Sequence, residues 1–356
     1  MSITSPGAKD AAGSRLLVDY QQAVGVYDEV FDAEGAIRGP WQMVLAQLEE
    51  IGGDELARVW RQAERLVRQN GVLYHAYGEP LSEARPWLLD PLPLMLGSEE
   101  WKELSAGLVQ RVRLLNRVVA DLYGPQELLD DGVIPAELLF EHPGFARVFH
   151  GQRVPDDCYL HLYAADLVRA PDGRWWVVGD RTDAPLGMGY ALENRIVVSR
   201  SMPTVIRNCR VHRLAPFFIS LRETLRRLSP ARRENPRIVL LSQGPGGPNY
   251  FEDAYLARYL GMTLVESEDL TVRDEHVCLK TLGGLLPVDV IFRRLSDLMC
   301  DPLEVRGDEP VGIPGLLEAV RSGHVVVANA LGSSLVESAA LLPFLPGLCE
   351  RVLGEP

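Results

Sequence analysis

A mixed α/β fold, with helices first, a β-hairpin next and a doubly wound parallel sheet last, is expected of this chain on three observations. Apolar residues recur every three or four positions through the first third, as in helices with one buried face. Two apolar runs then flank Pro171-Asp172-Gly173, a turn tripeptide placed as in a hairpin. From Arg237 onward, short apolar runs alternate with helix-length segments, which favours parallel strands covered on both faces.

Residues 1–26 read as a flexible tail; Met1 to Ser14 is small and polar, without an apolar signal core. Helices follow. Trp41, Val44, Leu45 and Leu48 share one face, and Leu56, Val59, Trp60, Ala63, Leu66 and Val67 share a second that Asn70-Gly71 stops. Residues 80–93 form a proline-punctuated connector. Ser98-Glu99-Glu100-Trp101 opens a helix carrying Leu104, Leu108, Val112, Leu115, Val119 and Leu122 as far as Tyr123-Gly124-Pro125. Residues 158–167 and 174–178 are expected as the hairpin strands, carrying Asp166 and Asp180. A helix over 215–228 runs into a basic, proline-flanked stretch, 229–236, the expected boundary between a unit of residues 27–228 and one of residues 237–356. In the second unit, strands are expected at 237–242, 261–266, 278–280, 288–293 and 325–328, with helices at 251–260 and 315–322.

The net charge of −13 argues against a nucleic-acid surface and favours a cleft for small charged metabolites. The five cysteines are scattered, without C-x-x-C spacing, which predicts a reducing cytoplasm and no zinc site. No apolar run reaches membrane length, so no membrane partner is expected. The seven histidines lack metal-ligand spacing. Gly332-Ser333-Ser334 lacks the second glycine of a nucleophile elbow. A Rossmann-type oxidoreductase would rest on the α/β alternation alone.

Three constellations could carry chemistry. Val177-Val178-Gly179-Asp180-Arg181-Thr182-Asp183 ends an apolar strand on a carboxylate beside a Pro/Gly turn; it suits Mg²⁺ held against phosphate oxygens, or else a polar turn with a solvated ion pair. The loop from Gly244 through Gly246 to Asn249 follows a strand and opens a helix, where backbone N–H groups favour an anion such as a carboxylate; it also reads as a plain turn before a helix. Arg293 and Arg294 end a strand where α/β folds place ligand contacts, with Asp297 and Asp301 as alternative ion-pair partners.

Several stretches in order resemble the circularly permuted type 2 ATP-grasp family, relatives of glutathionylspermidine synthetase and eukaryotic glutathione synthetase. They are Asn70-Gly71-Val72-Leu73-Tyr74-His75-Ala76-Tyr77-Gly78, Gln110-Arg111-Val112-Arg113-Leu114-Leu115-Asn116 and Ala120-Asp121-Leu122-Tyr123-Gly124. Ala165-Asp166-Leu167-Val168-Arg169, the run from Tyr190 to Arg195, Val288 to Arg294 and Val327 to Gly332 complete the set. The resemblance implies a metal-bearing permuted ATP-grasp part followed by a pre-ATP-grasp α/β domain. It also implies an ATP-dependent carboxylate–amine ligase that uses ATP and Mg²⁺, joins small acyl and amine substrates through an acyl phosphate, and is followed in one branch by a helical alpha-E domain. Carried over by position, Asp166 and Asp180 would hold Mg²⁺, and Arg169 and Arg195 would contact phosphate or acyl phosphate. Many members read Glu-Asp-Asn where this chain reads Gly179-Asp180-Arg181; either Arg181 neutralises phosphate itself, or the metal site is lost and the protein is a non-catalytic scaffold. The family's last segment, with its adenine pocket and nucleotide-gripping lysines, would begin near Pro356, and Lys9, Lys102 and Lys280 cannot replace those lysines. The expectation is therefore a ligase fragment that depends on a C-terminal segment.

Overall fold

The structure, a computed structural model, describes residues 15–74, 85–90, 92–152, 154–230, 233–305 and 311–356. The stretch His75 to Gly78 of the resemblance, much of the 80–93 connector, and the first fourteen residues lie outside the described residues. Within the expected tail Leu17 is buried with Val30, Phe31, Trp41 and Leu45, whereas residues 18–26 are exposed.

The amphipathic runs form α1 (Gly39–Ile51), with Pro40 in its first turn, and α2 (Gly53–Gln69). A short antiparallel pair, β1 (Leu73–Tyr74) and β2 (Arg85–Pro86), follows. The helix α3 (Ser98–Leu122) buries Leu114, Leu115, Val118, Val119 and Leu122, one stripe at helical spacing. Two short helices, α4 (Glu127–Asp130) and α5 (Ala136–Phe140), lead to the hairpin of β3 (Ala164–Arg169) and β4 (Trp175–Arg181). Its turn closes through Gly173 N–H to the Ala170 carbonyl at 2.8 Å. Gly173 has φ +86°, and a Cβ there would lie 2.7 Å from the Tyr27 ring, so glycine serves both the turn and the close approach. The first hairpin strand begins six residues later than expected, because Tyr159 to Leu162 spend their backbone N–H groups on side chains of Asn116 and Asn329 rather than on a ladder.

Helices α6 (Met188–Ser201), α7 (Pro203–Asn208) and α8 (Ala215–Arg227) precede the α/β unit. There β5 (Ile238–Leu241) is followed by α9 (Tyr250–Leu260) and β6 (Thr263–Val265). An antiparallel meander comes next, β7 (Leu270–Arg273), β8 (His276–Thr281) and β9 (Gly284–Pro287). Then come β10 (Val290–Arg293), α10 (Leu316–Arg321), β11 (Val326–Ala328) and α11 (Leu345–Leu353). The central sheet is parallel, in the order β11-β10-β5-β6. The expected strand at 278–280 is thus not a member of it: those residues belong to the meander, whose short turns permit only antiparallel neighbours.

Alternation along the strands separates two cores. Val239, Leu241, Ile291 and Val327 face α3, α10 and α11, whereas Leu240, Val290, Phe292 and Ala328 face α8 and α9. The first core draws on residues from Leu114 to Cys349, so residues on both sides of 229–236 share it. All five cysteines are free, and no helix among the described residues is long and apolar enough to cross a membrane.

Candidate active site

The chain leaves β5 through α9 over one face of the sheet and leaves β10 through α10 over the other. Adjacent strands whose connections depart in opposite directions open a crevice at their carboxyl ends. Ser242 to Asn249, Arg293-Arg294 and Asn329 border that crevice. The chain's own segment after β4, from Thr182 to Gly187, fills it.

Both strand-end arginines are consumed there. Arg293 is fully buried; its Nη1 meets Asp183 Oδ1 at 2.5 Å and its Nη2 donates to Ser333 Oγ at 2.7 Å. Its Nε donates to the Asn329 carbonyl at 2.9 Å. Burial works against the Arg293 charge, but Asp183 and Asp297 outweigh it and raise the pKa. Arg294 donates to Asp253 Oδ1 at 3.0 Å and to the Pro185 carbonyl at 2.6 Å, and lies 3.3 Å from Glu252 Oε2. Glu252 in turn accepts from Gly187 N–H at 2.9 Å and Gly189 N–H at 2.8 Å, placing a buried carboxylate at the start of α6, where the helix dipole favours it. Burial raises the pKa of Asp253 despite Arg294, and Ser242 Oγ donates to it at 2.7 Å. The partners of the two arginines are therefore Asp183, Glu252 and Asp253. Of the expected alternatives, Asp297 supports the Arg293 charge through space without bonding it and accepts from Gly332 and Ser334 N–H, whereas Asp301 caps α10 through Gly315 and Leu317 N–H.

Asn329 ties the hairpin to the sheet with four hydrogen bonds. Its Oδ1 accepts from His161 and Leu162 N–H, both at 2.8 Å, and its Nδ2 donates to the Leu162 carbonyl at 2.7 Å and the Thr182 carbonyl at 2.6 Å. Glu337 adds bonds from Thr182 and Asp183 N–H at 2.5 and 2.8 Å. Beside this junction the His161 Nε2 is shut off from solvent with no partner among the described residues, and burial holds the imidazole down at about 4. The unfolded chain takes up a proton near pH 6.5 that the folded one refuses until about pH 4, so stability falls as pH drops through that window. The loss from this residue is about 2 kcal/mol at pH 5 relative to pH 8. Asp297, raised to about 6 by burial and by Asp183, acts with the opposite sign. His161→Gln should therefore flatten the acid limb of a urea-denaturation pH series relative to wild type; an unchanged difference between pH 5 and pH 8 would refute the assignment.

The hairpin register divides the two aspartates expected to share a metal. Ala165 pairs with Asp180, and Asp166 pairs with Gly179, so the two carboxylates leave the ribbon on opposite faces. On one face Asp180 receives Arg111 through two bonds of 2.7 Å and the Tyr163 hydroxyl at 2.6 Å. Burial opposes the Arg111 charge, and Asp180 with Tyr163 more than restores it; burial and Asp180 together raise the Tyr163 pKa. On the other face Asp166 accepts from Arg181 at 2.6 Å and lies over Gly179, where a Cβ would meet its Oδ2 at 2.9 Å. Among the described residues no group of three or more His, Cys, Asp or Glu side chains is arranged to hold a metal. As arranged, the pair does not fit one shared Mg²⁺: its members diverge, and each is matched by a guanidinium.

The remaining candidates are dispersed. Arg169 sits at the turn end of the hairpin, about 17 Å of strand from Ala164, clamped by Glu29 and Glu100 and stacked between Tyr27 and Trp175. Arg195, on α6, donates to the His212 carbonyl and lines a cavity against α1 and α7. A Cβ on Gly246 would point into open space, and Asn249 forms the N-cap of α9 without a side-chain bond. Periodicity could not single out Arg111, Tyr163, Asp183, Glu252 or Asn329. Arg111 and Asn329 lie inside stretches quoted for the family resemblance, and Asp183 ends the constellation at 177–183; Tyr163 and Glu252 carry no such signal.

The mycobacterial relatives of the chain are long proteins. It is 40% identical to an uncharacterized protein of Mycobacterium tuberculosis over 98% of this chain and 40% of that one, so it spans about two fifths of that relative's length. An uncharacterized protein of Mycobacterium leprae is 34% identical over 92% of this chain and 58% of its own length. One of Synechocystis is 32% identical over 92% of this chain and 68% of its own. Among solved structures, a glutathione synthetase-like effector from Globodera pallida aligns over 88% of this chain and 70% of its own with a TM-score of 0.43 and 13% identity. The model of the circularly permuted ATP-grasp type 2 family matches residues 93–356, nearly three quarters of the chain, and the protein belongs to that family.

Proposed function

We propose that the protein takes part in ATP-dependent carboxylate–amine ligation. The γ-phosphoryl group of ATP passes to a carboxylate oxygen and ADP leaves. An amine then attacks the acyl carbon, phosphate departs with its bonding electrons, and the amine loses a proton to give the amide. The observation that supports this reading is the family membership, joined to the arginines gathered around the hairpin end. Guanidinium groups suit such chemistry because charge accumulates on phosphoryl oxygens, which a planar fork of donors can grip in two places. In this reading phosphate is met on the Asp180 face of the hairpin, by Arg111, which Asp180 and Tyr163 position. Arg195 contacts the carboxylate or its acyl phosphate. Arg293 and Arg294 are positioning residues that hold the Thr182–Gly187 segment.

Hydroxylamine traps acyl phosphates as hydroxamates, so incubation of the chain, supplied with the C-terminal ATP-grasp segment that the family resemblance implies, with ATP, Mg²⁺, hydroxylamine and a panel of carboxylic acids tests the reading. Hydroxamate is expected with at least one acid, and Asp180→Asn, which loosens Arg111, is expected to lower its rate on the order of 100-fold. A second reading, a non-catalytic scaffold, is favoured by one observation: both hairpin aspartates are already neutralised by arginine. Absence of hydroxamate from every acid, with no heat on titration with ATP, would overturn the ligase reading in favour of the scaffold.

A further inference from the structure

Between α1, α6, α7 and residues 89–90 and 92–95 lies a cavity of about 330 Å³, within the range of small-molecule sites. Its walls are mainly apolar, with Val44 and Leu48 from α1, Val198 from α6 and Val205 from α7. The polar groups on the lining are few and chiefly donors. Among the described residues Arg195 has only the His212 carbonyl as a hydrogen-bond partner and no carboxylate within ion-pair distance. Asn194, also on the lining, accepts from the Trp87 indole N–H through its Oδ1 at 2.8 Å, so the polar capacity its side chain keeps is that of a donor. The one acid on the lining, Asp90, accepts from Leu92 N–H at 2.8 Å. An apolar chamber with a guanidinium and an amide at its wall matches a ligand with a hydrocarbon body and one anionic head.

We propose that this cavity binds an apolar monocarboxylic acid of the medium-chain fatty-acid class, its carboxylate on Arg195 and Asn194 and its chain among Val44, Leu48, Val198 and Val205. That this acid is also the acyl substrate rests on the ligase reading; its binding does not. A carboxylate on Arg195 gains a charge-assisted bond that an alcohol of the same length cannot make. The hydrocarbon contributes roughly in proportion to the number of buried methylenes.

Calorimetric titration with octanoate and with octanol, without nucleotide, tests the site. Octanoate should bind at least about tenfold more tightly than octanol. Arg195→Gln should remove that preference while leaving octanol unchanged, and Arg195→Lys should keep part of it. Val205→Phe, which fills the chamber, should weaken both ligands, with the melting temperature as the check on folding. Should Val205→Phe fail to fold, the comparison of octanoate with octanol on wild type and Arg195→Gln still decides. Undetectable octanoate binding, or equal octanoate affinity in wild type and Arg195→Gln, would overturn the proposal. Hydroxamate from polar acids together with absent octanoate binding would sink the cavity assignment and leave the ligase reading. Octanoate binding without ATP-dependent octanohydroxamate would support the site and remove its role as the acyl-substrate pocket.

Discussion

Arg294→Met is expected to lower the melting temperature on the order of 10 °C, from a loss of about 3–5 kcal/mol. The guanidinium is completely buried and stands between two buried carboxylates, Glu252 and Asp253. Methionine restores most of the volume but none of the charge, so two carboxylates would be left in an interior that solvates ions poorly. Neither can swing out. Glu252 is held by the first amides of α6, and Asp253 by Ser242. The charge explanation makes a second, sharper demand: adding Glu252→Gln and Asp253→Asn to Arg294→Met should recover part of the loss, because the amides need no counterion. Thermal melts of the single and triple variants decide the point. A single variant within 2 °C of wild type, or a triple variant less stable than the single, would refute it.

Asn329→Leu should cost about 4 kcal/mol and expose the hairpin junction to proteolysis. Four backbone groups (His161 N–H, Leu162 N–H and the carbonyls of Leu162 and Thr182) lose their partner at once, and a buried orphan costs about 1–3 kcal/mol. Local relaxation keeps the sum below four full penalties. Asn329→Asp separates the two halves of the side chain's work. Its carboxyl can still accept from His161 and Leu162, but once ionised it repels the two carbonyls that the amide served. The folded-state pKa of that aspartate would therefore lie above its unfolded value of about 3.9. Relative to wild type, its stability should then be greatest at low pH and fall as pH rises through the folded pKa. Urea denaturation of wild type and Asn329→Asp at pH 4.5 and pH 7 reads the sign as a difference, because the His161 contribution is common to both; a variant whose deficit relative to wild type is smaller at pH 7 would refute the donor role of the Asn329 amide.

Much of the fold was legible because it rests on local period. The stripe on α3, the Pro171-Asp172-Gly173 turn and the buried runs of β5, β10 and β11 each declare themselves within a dozen residues. The expected strand at 278–280 was a true strand in the wrong sheet. A short apolar run states that it will pair, but partner and direction depend on chain that returns from elsewhere.

The candidate site was legible only as residue types. Arginines at the end of β10 and an aspartate at the end of β4 were the right groups to notice, and the family resemblance followed from several such stretches in order. What the sequence determined by itself was therefore the element order, the α/β class and the membership of the family. Tertiary structure alone decided that Asp166 and Asp180 diverge, since a register of Ala165 opposite Asp180 sends alternate side chains to opposite faces. It alone decided that Arg293 and Arg294 are bound by Asp183, Glu252 and Asp253, and that Arg195 faces an apolar chamber. For Arg293 and Arg294 the physical reason is the supply of counterions. A buried charge must find a counterion wherever the folded chain supplies one, and those counterions lie between 41 and 110 positions away along the chain.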